Sequence, residues 1–127
     1  MKKSFLILFL IITLFSFGQS KKEILTQKWK IDKVEEFGDL FNPSGNQKND
    51  WIDFPKDGKF TAFIEGKSVF GLWTTTDTRT TLTVNKALSK TKINWVKDIS
   101  VAKDKFSFKY QNGDLISATL FFIPIKH

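Results

Sequence analysis

The 127-residue sequence predicts an all-β protein. Its expected architecture is a small up-and-down antiparallel β-barrel of about eight strands with a short N-terminal helix. Apolar and polar residues alternate in short runs through most of the chain, which is the pattern of strands that bury one face. Residues that favour turns recur about every ten positions, at the spacing typical of hairpins. Outside the apolar N-terminus, no segment shows the period of a helix longer than about two turns.

The first 18 residues are predicted to be a signal peptide, leaving residues 19–127 as one barrel domain. Two lysines precede the apolar run Phe5–Phe17, and Ser16 and Gly18 supply small residues for cleavage. This run has 13 residues, fewer than the ~20 that span a bilayer. We therefore expect export to the periplasm or the medium, with no transmembrane segment in the mature chain.

The composition limits the possible functions. The chain has no cysteine, so the fold has no disulfide and thiol chemistry is absent. The formal net charge is +7, but the basic residues are scattered through the strands and Arg79 is the only arginine. Scattered lysines are typical of a solvated surface, so we expect no nucleic-acid partner.

The helix is predicted at the start of the mature chain. Ser20 and Glu23 have the spacing of a capping box, and the helix is expected to end near Gln27 and to cover one end of the barrel. A strand follows from Lys28 to Phe37, and a break in its alternation indicates either a bulge or an early end.

Residues 37–50 are predicted to form one long loop near the mouth of the barrel. Glycine, proline and asparagine dominate this stretch, and Leu40 and Phe41 are the apolar pair inside it. Long loops in compact domains are often functional. We expect Leu40 and Phe41 to form a lid over the barrel.

The stretch from Trp51 to Trp73 predicts consecutive antiparallel strands. Two apolar runs meet across Pro55–Lys59, where Asp57 and Gly58 favour a tight turn. The following strands alternate clearly, and Asn112 with Gly113 predicts the last hairpin. These later strands are expected at Thr80–Asn85, Thr91–Val101, Lys105–Tyr110 and Leu115–Ile123.

The last predicted strand, Leu115–Ile123, is apolar on both faces. A strand of this kind is normally covered on both sides. Either the N-terminal helix covers its second face, or that face forms a dimer contact. We therefore expect a monomer or a weak homodimer.

Several short motifs in this order resemble the lipocalin-like domain of small exported bacterial proteins. They are Leu25, Trp29, Phe54, the run Asp57-Gly58-Lys59-Phe60 and the run Gly71-Leu72-Trp73. The resemblance spans about Ile24 to Ile123, with Gln27-Lys28 standing where the family has glycine before its first tryptophan. It implies a small eight-stranded barrel, whose larger relatives carry apolar small molecules.

Inward-facing aromatic residues are the candidate ligand-binding site. Parity places five of them on one side of neighbouring strands, and the loop adds a sixth. They are Trp73, Trp95, Phe106, Phe108 and Tyr110, with Phe41 from the loop. One possibility is that they line an apolar pocket for a ligand. The other is that they fill the core, because an eight-stranded barrel is just wide enough to hold its own side chains.

The expected function is therefore an exported protein that binds a small apolar or amphipathic molecule. The alternative is a cell-envelope protein-interaction module with a solid barrel core and no small-molecule ligand. We expect no enzyme, no cofactor and no metal site. The only histidine is His127 at the chain end, and turn chemistry accounts for Asp50 and Asp57.

Overall fold

A computed structural model describes residues 20–76 and 78–125 of the chain. The predicted signal peptide and His127 lie outside these residues. The described part contains one helix, α1 (Lys21–Leu25), and nine strands. The strands are β1 (Lys28–Glu36), β2 (Asp39–Phe41), β3 (Trp51–Asp53), β4 (Lys59–Ile64), β5 (Lys67–Thr75), β6 (Thr80–Val84), β7 (Ile93–Ala102), β8 (Lys105–Asn112) and β9 (Ser117–Pro124).

The strands form a nearly closed antiparallel barrel of eight strands, which confirms the predicted fold class. Their order is β6-β5-β4-β3-β1-β9-β8-β7, and β2 adds to β1 outside this path. The pairing of β1 with β9 joins the first described strand to the last. In the part of the chain described, no ladder joins β6 to β7. We call this unpaired boundary the seam.

Helix α1 packs against the barrel through Leu25 and contacts β7. The Ser20 hydroxyl oxygen accepts a hydrogen bond from the Glu23 backbone N–H at 3.2 Å, which caps the first turn. The helix ends at Leu25, two residues earlier than expected. Leu25 is fully buried, and its carbonyl oxygen accepts a hydrogen bond from the Trp29 indole N–H at 3.2 Å. Within the described residues, no helix is both long and apolar enough to cross a membrane.

Strand β1 contains the predicted bulge. Its register with β9 shifts between Ile31 and Lys33, so Trp29, Ile31 and Val34 all reach the core although their spacing is uneven. The extra residue in one strand changes which face the following side chains occupy.

The predicted long loop contains regular structure. Phe37 and Gly38 have φ values of 53° and 82° and form the turn into β2, which pairs with the end of β1. A short 3-10 turn follows at Gly45–Gln47. Phe41 and Leu40 are 50% and 61% exposed. The expectation that they form a lid stays a prediction.

The two predicted hairpin turns differ in outcome. The Asp57 carboxylate accepts a hydrogen bond from the Lys59 backbone N–H at 3.0 Å and Gly58 has a φ of 84°, which confirms the first turn. The last turn is longer than predicted. Its residue with a left-handed backbone conformation is Leu115, which has a φ of 66°. Strand β9 therefore begins at Ser117 instead of Leu115.

Candidate functional site

Four of the predicted aromatic residues lie inside the barrel. Trp73, Phe106, Phe108 and Tyr110 are all buried. The ring centroids of Phe106 and Phe108 are 5.7 Å apart, and those of Phe108 and Tyr110 are 6.2 Å apart. Phe54 connects Trp73 to this group, with centroid distances of 5.3 Å to Trp73 and to Phe106.

These rings fill the interior. A void among the inner side chains, between Ile52 on β3 and Phe108 on β8, has a volume of about 10 Å³. A single water needs a space of at least about this size. The inner aromatic residues therefore form a packed core, and a ligand among them would have to displace side chains.

Trp95 does not face the interior, which corrects its predicted orientation. The register of β7 with β8 shifts between Ile93 and Trp95, so the alternation changes phase there. Trp95 pairs with Gln111, and the next residue, Val96, pairs with the inward Tyr110. Residues directly opposite in an antiparallel pair share a face. Val96 therefore packs on the core and Trp95 lies outside, with the Lys97 ammonium 4.3 Å from its ring centroid.

Phe41 is also separate from the inner aromatic residues. It lies on β2, opposite Val34 of β1, and is exposed. The six predicted ligand-binding residues are thus divided among the core, the outer face of β7 and the exposed strand β2.

An apolar concavity lies on the outer face of β4, β5 and β6. We call it the outer groove, and its volume is about 460 Å³. Phe70, Leu72 and Leu88 are its exposed apolar side chains. Leu72 and Leu88 are 58% and 61% exposed. Lys59, directly opposite Leu72 on β4, and Asn85 place polar groups at its rim.

Hydrogen bonds hold the segment that carries Leu88. The Asn85 side-chain oxygen accepts hydrogen bonds from the backbone N–H groups of Ala87 and Leu88, at 3.1 and 3.2 Å. The Ser89 hydroxyl accepts a hydrogen bond from the Phe70 backbone N–H at 3.0 Å. The connection after β6 therefore runs along the edge of β5 and presents Leu88 beside Phe70.

Gly71 is essential to the floor of the outer groove. It lies opposite Phe60, whose ring occupies the space that a side chain would take. A Cβ atom at Gly71 would overlap the Thr83 carbonyl oxygen and lie 2.5 Å from Cε1 of Phe60. Only glycine fits there without movement of its neighbours.

A second, polar cleft crosses the seam. Its volume is about 370 Å³, and Arg79, Lys97 and Lys21 of α1 contribute cationic side chains to it. Leu82 and Val96 line both this cleft and the small interior void. These two side chains therefore separate the cleft at the seam from the void.

A buried carboxylate lies at the far end of β4. Asp50 is 1% exposed, and its two carboxylate oxygens accept hydrogen bonds from the backbone N–H groups of Glu65 and Gly66, at 2.8 and 3.0 Å. Burial raises the pKa of Asp50 from 3.8 to about 6, against the lowering effect of these two hydrogen bonds.

Glu65 links this turn to β8. The Tyr110 hydroxyl donates a hydrogen bond to the Glu65 carboxylate at 2.8 Å. Burial, followed by this hydrogen bond, raises the pKa of Tyr110 above its usual range. The phenol is therefore a neutral donor, and Tyr110 serves the structure of this end of the barrel.

Sequence reasoning missed the outer groove, although one signal was present. Residues 69–73 of β5 are apolar at both parities, which places apolar side chains on the outer face as well as the inner one. Leu88 had no such signal, because it lies in an irregular connection and its position depends on Asn85.

The fold and these features define a small antiparallel barrel with a packed interior and a preformed apolar groove on its outer face. Comparison with protein-family models, curated proteins and solved structures finds no match for the chain. Its function is therefore argued from its own geometry.

Proposed function

We propose that the protein binds a small apolar or amphipathic molecule, and that the outer groove is the binding site. The observation that carries this proposal is the groove's volume of about 460 Å³ with exposed apolar walls. Binding pockets for small ligands have volumes of about 300 to 1,000 Å³ and are mostly apolar. Exposed apolar walls that a ligand covers supply the driving force for binding.

The rim of the groove favours an amphipathic ligand over a pure hydrocarbon. Lys59 lies directly opposite Leu72, so its ammonium group can meet an anionic head group while the apolar part contacts Phe70 and Leu88. A salt bridge at such an exposed rim contributes less than about 1 kcal/mol. Most of the affinity would therefore come from the apolar walls.

This site differs from the one that the lipocalin-like resemblance implies. That resemblance places a ligand inside the barrel, whereas here the rings of Phe54, Phe106 and Phe108 occupy the interior. A ligand in the outer groove requires no displacement of these rings. We retain the resemblance as a proposal about ancestry, with the binding site moved to the outer face.

A second candidate function is a cell-envelope module that binds another protein through the same face. The packed interior, with its void of about 10 Å³, supports it because such a module needs no cavity. An apolar side chain of the partner would occupy the groove between Leu72 and Leu88. Export and a monomeric or weakly dimeric state are proposals common to both functions.

A binding titration with matched leucine variants tests the proposal. The probe is the amphipathic anion 1-anilinonaphthalene-8-sulfonate, followed by its fluorescence. Leu88→Ser removes one wall of the groove and is expected to weaken binding about tenfold, since one exposed leucine buried by a ligand contributes about 1.5 kcal/mol or more. Leu40→Ser is the control, because Leu40 on β2 has the same 61% exposure.

Native mass spectrometry of protein from its own host separates the two functions. A small molecule retained by the wild type and lost in Leu88→Ser supports the first function. Equal binding of the dye by both variants, together with no retained molecule, would rule out the groove as a small-molecule site and leave the interaction module.

A further inference from the structure

A second concavity lies at the opposite end of β4 from the outer groove's Lys59. We call it the turn cleft, because it lies between the 3-10 turn and the turn joining β4 to β5. Its volume is about 400 Å³. It is lined chiefly by Asn46, Asn49, Asp50, Trp51, Phe63 and Gly66. Nothing in the proposed function uses this cleft.

One wall of the turn cleft is aromatic. Trp51 and Phe63 are directly opposite each other on β3 and β4, and both lie on the outer face because the next residue, Ile52, is buried. Their ring centroids are 5.1 Å apart with an interplanar angle of 84°. The Lys28 ammonium lies 4.3 Å from the Trp51 ring centroid and helps to hold the indole in place.

The other wall is rich in amides. The side chains of Asn46 and Asn49 are exposed, so each can exchange water for a ligand group. An amide offers both donors and an acceptor, which matches a hydroxyl group that does the same. Aromatic and amide groups therefore line one space.

The cleft is preformed because Asp50 fixes its base. Its carboxylate accepts from the turn between β4 and β5, and its backbone N–H donates to the Gln47 carbonyl oxygen at 3.0 Å. A Cβ atom at Gly66 would lie 3.2 Å from Cβ of Asn46, so the two turns are in close contact. Fixed walls reduce the ordering that a ligand must otherwise impose.

We propose that the turn cleft binds a neutral saccharide. A sugar ring presents C–H groups on its faces, which suit the π-face of an aromatic ring, and hydroxyls at its edge, which suit the amides. Among the described residues, the lining contains no lysine or arginine and the Lys28 ammonium lies against the Trp51 ring, so a neutral ligand is favoured over a phosphate or carboxylate. Its mixed polar and apolar walls also distinguish it from the apolar outer groove.

This inference goes beyond the proposed function, since the two sites lie at opposite ends of β4 and take different ligands. The outer groove uses Leu72 and Leu88, and the turn cleft uses Trp51 and Asn49. A variant in one site is therefore expected to leave binding at the other unchanged.

The test is a titration of the ¹⁵N-labelled protein, followed by NMR, with soluble hexamers of glucose and of N-acetylglucosamine. The Trp51 indole N–H and the Asn49 side-chain amide are expected to shift together. Trp51→Leu and Asn49→Ala are each expected to weaken binding about tenfold. Trp95→Leu is the matched control, because Trp95 is also half-buried on the outer face with a lysine 4.3 Å from its ring centroid.

A second arm distinguishes free sugars from polymers. Co-sedimentation with insoluble chitin and with peptidoglycan sacculi measures binding to a polysaccharide surface. Sedimentation without NMR shifts from the hexamers assigns the cleft to a polymer, provided that Trp51→Leu abolishes it and Trp95→Leu does not. No shift and no sedimentation, or equal losses in both tryptophan variants, would overturn the proposal.

Discussion

Asp50 forms hydrogen bonds to three parts of the fold, which are β1, the 3-10 turn and the turn between β4 and β5. Its carbonyl oxygen accepts a hydrogen bond from the Ile31 backbone N–H at 3.0 Å, its N–H donates to Gln47, and its carboxylate caps the turn at Glu65 and Gly66. Burial makes ionisation of its carboxyl group costly, which is why its pKa rises to about 6. The folded protein therefore binds this proton more tightly than the unfolded chain does.

The sign of the pH dependence follows from that difference. Because the folded pKa is about 6 and the ordinary value is 3.8, the stabilisation from Asp50 is complete below about pH 4. It is lost as the pH rises through 6. Asp50→Asn removes this titration while keeping the shape of the side chain. The wild type is expected to lose up to about 3 kcal/mol relative to the variant between about pH 4 and 7.

Urea unfolding of the wild type and of Asp50→Asn across this pH range measures how the free energy of unfolding changes with pH in each protein. The amide that replaces the Asp50 carboxylate in the variant places an N–H₂ group near a backbone N–H, so a constant offset in stability is also expected. Parallel pH profiles for wild type and variant would show that the Asp50 proton is not bound more tightly in the folded state.

Gly71 lies between the core and the outer groove, where its neighbours leave no room for a side chain. Gly71→Ala is expected to cost about 2 to 3 kcal/mol, because the new methyl overlaps the Thr83 carbonyl oxygen and the Phe60 ring. Thermal unfolding followed by circular dichroism measures this loss.

The control for this substitution is Gly45→Ala. Gly45 has a φ of 57°, and a Cβ there meets nothing within 4 Å. Only backbone strain of about 1 kcal/mol is expected. If the two alanine variants melt at the same temperature, the close packing around Gly71 does not explain its role.

At the scale of the element, β7 is the strand whose irregularities matter most. Its register with β8 shifts twice, between Ile93 and Trp95 and between Lys97 and Ser100. Asp98, in the second irregularity, has a φ of 53°. These shifts bring Val96, Ile99 and Val101 onto the core and leave Trp95 outside.

Paired substitutions on β7 and β8 test this assignment. Phe108→Ala removes a buried ring that stacks on Phe122 with centroids 5.6 Å apart, and is expected to cost about 3 to 5 kcal/mol. Trp95→Ala removes an outer ring and is expected to cost less than about 1 kcal/mol. Comparable losses in urea unfolding would place Trp95 in the core.

Alternation and turn chemistry carry most of the sequence information about these elements. A strand that buries one face shows the period of two directly, so β6 and β8 could be predicted within a few residues. The bulge in β7 could not be predicted, because the extra residue that changes the parity of a strand needs no particular sequence. Likewise Leu115 takes the left-handed position that Gly113 was expected to occupy.

The candidate sites were harder to predict than the strands. The outer groove depends on Leu88, which hydrogen bonds to Asn85 hold beside Phe70. The turn cleft depends on Asp50, which the sequence explained as part of a loop. In both cases side chains from irregular segments complete the site, and their positions depend on contacts between distant residues.

At the scale of the whole molecule, the seam is the weakest boundary of the barrel. Strands β6 and β7 each have one paired edge, whereas β1, β8 and β9 are paired on both sides. Backbone N–H groups on the unpaired edges lack a strand partner and open to solvent more easily. We expect faster amide hydrogen exchange in β6 and β7 than in β8 and β9.

Hydrogen exchange followed by mass spectrometry measures this on peptides that cover single strands. The peptide covering β1 is an internal reference, because that strand pairs with both β3 and β9. Uniform protection around the barrel would mean that the seam is closed in solution.

The seam has a consequence for how the chain could be rearranged. The Ile125 backbone N–H donates to the Lys28 carbonyl oxygen at 3.2 Å, so the end of β9 lies beside the start of β1. A circular permutant that joins these ends with a linker and opens between Asn85 and Lys92 would retain every strand pairing. It would lose the connection that carries Leu88, so the barrel would persist while its outer groove would not.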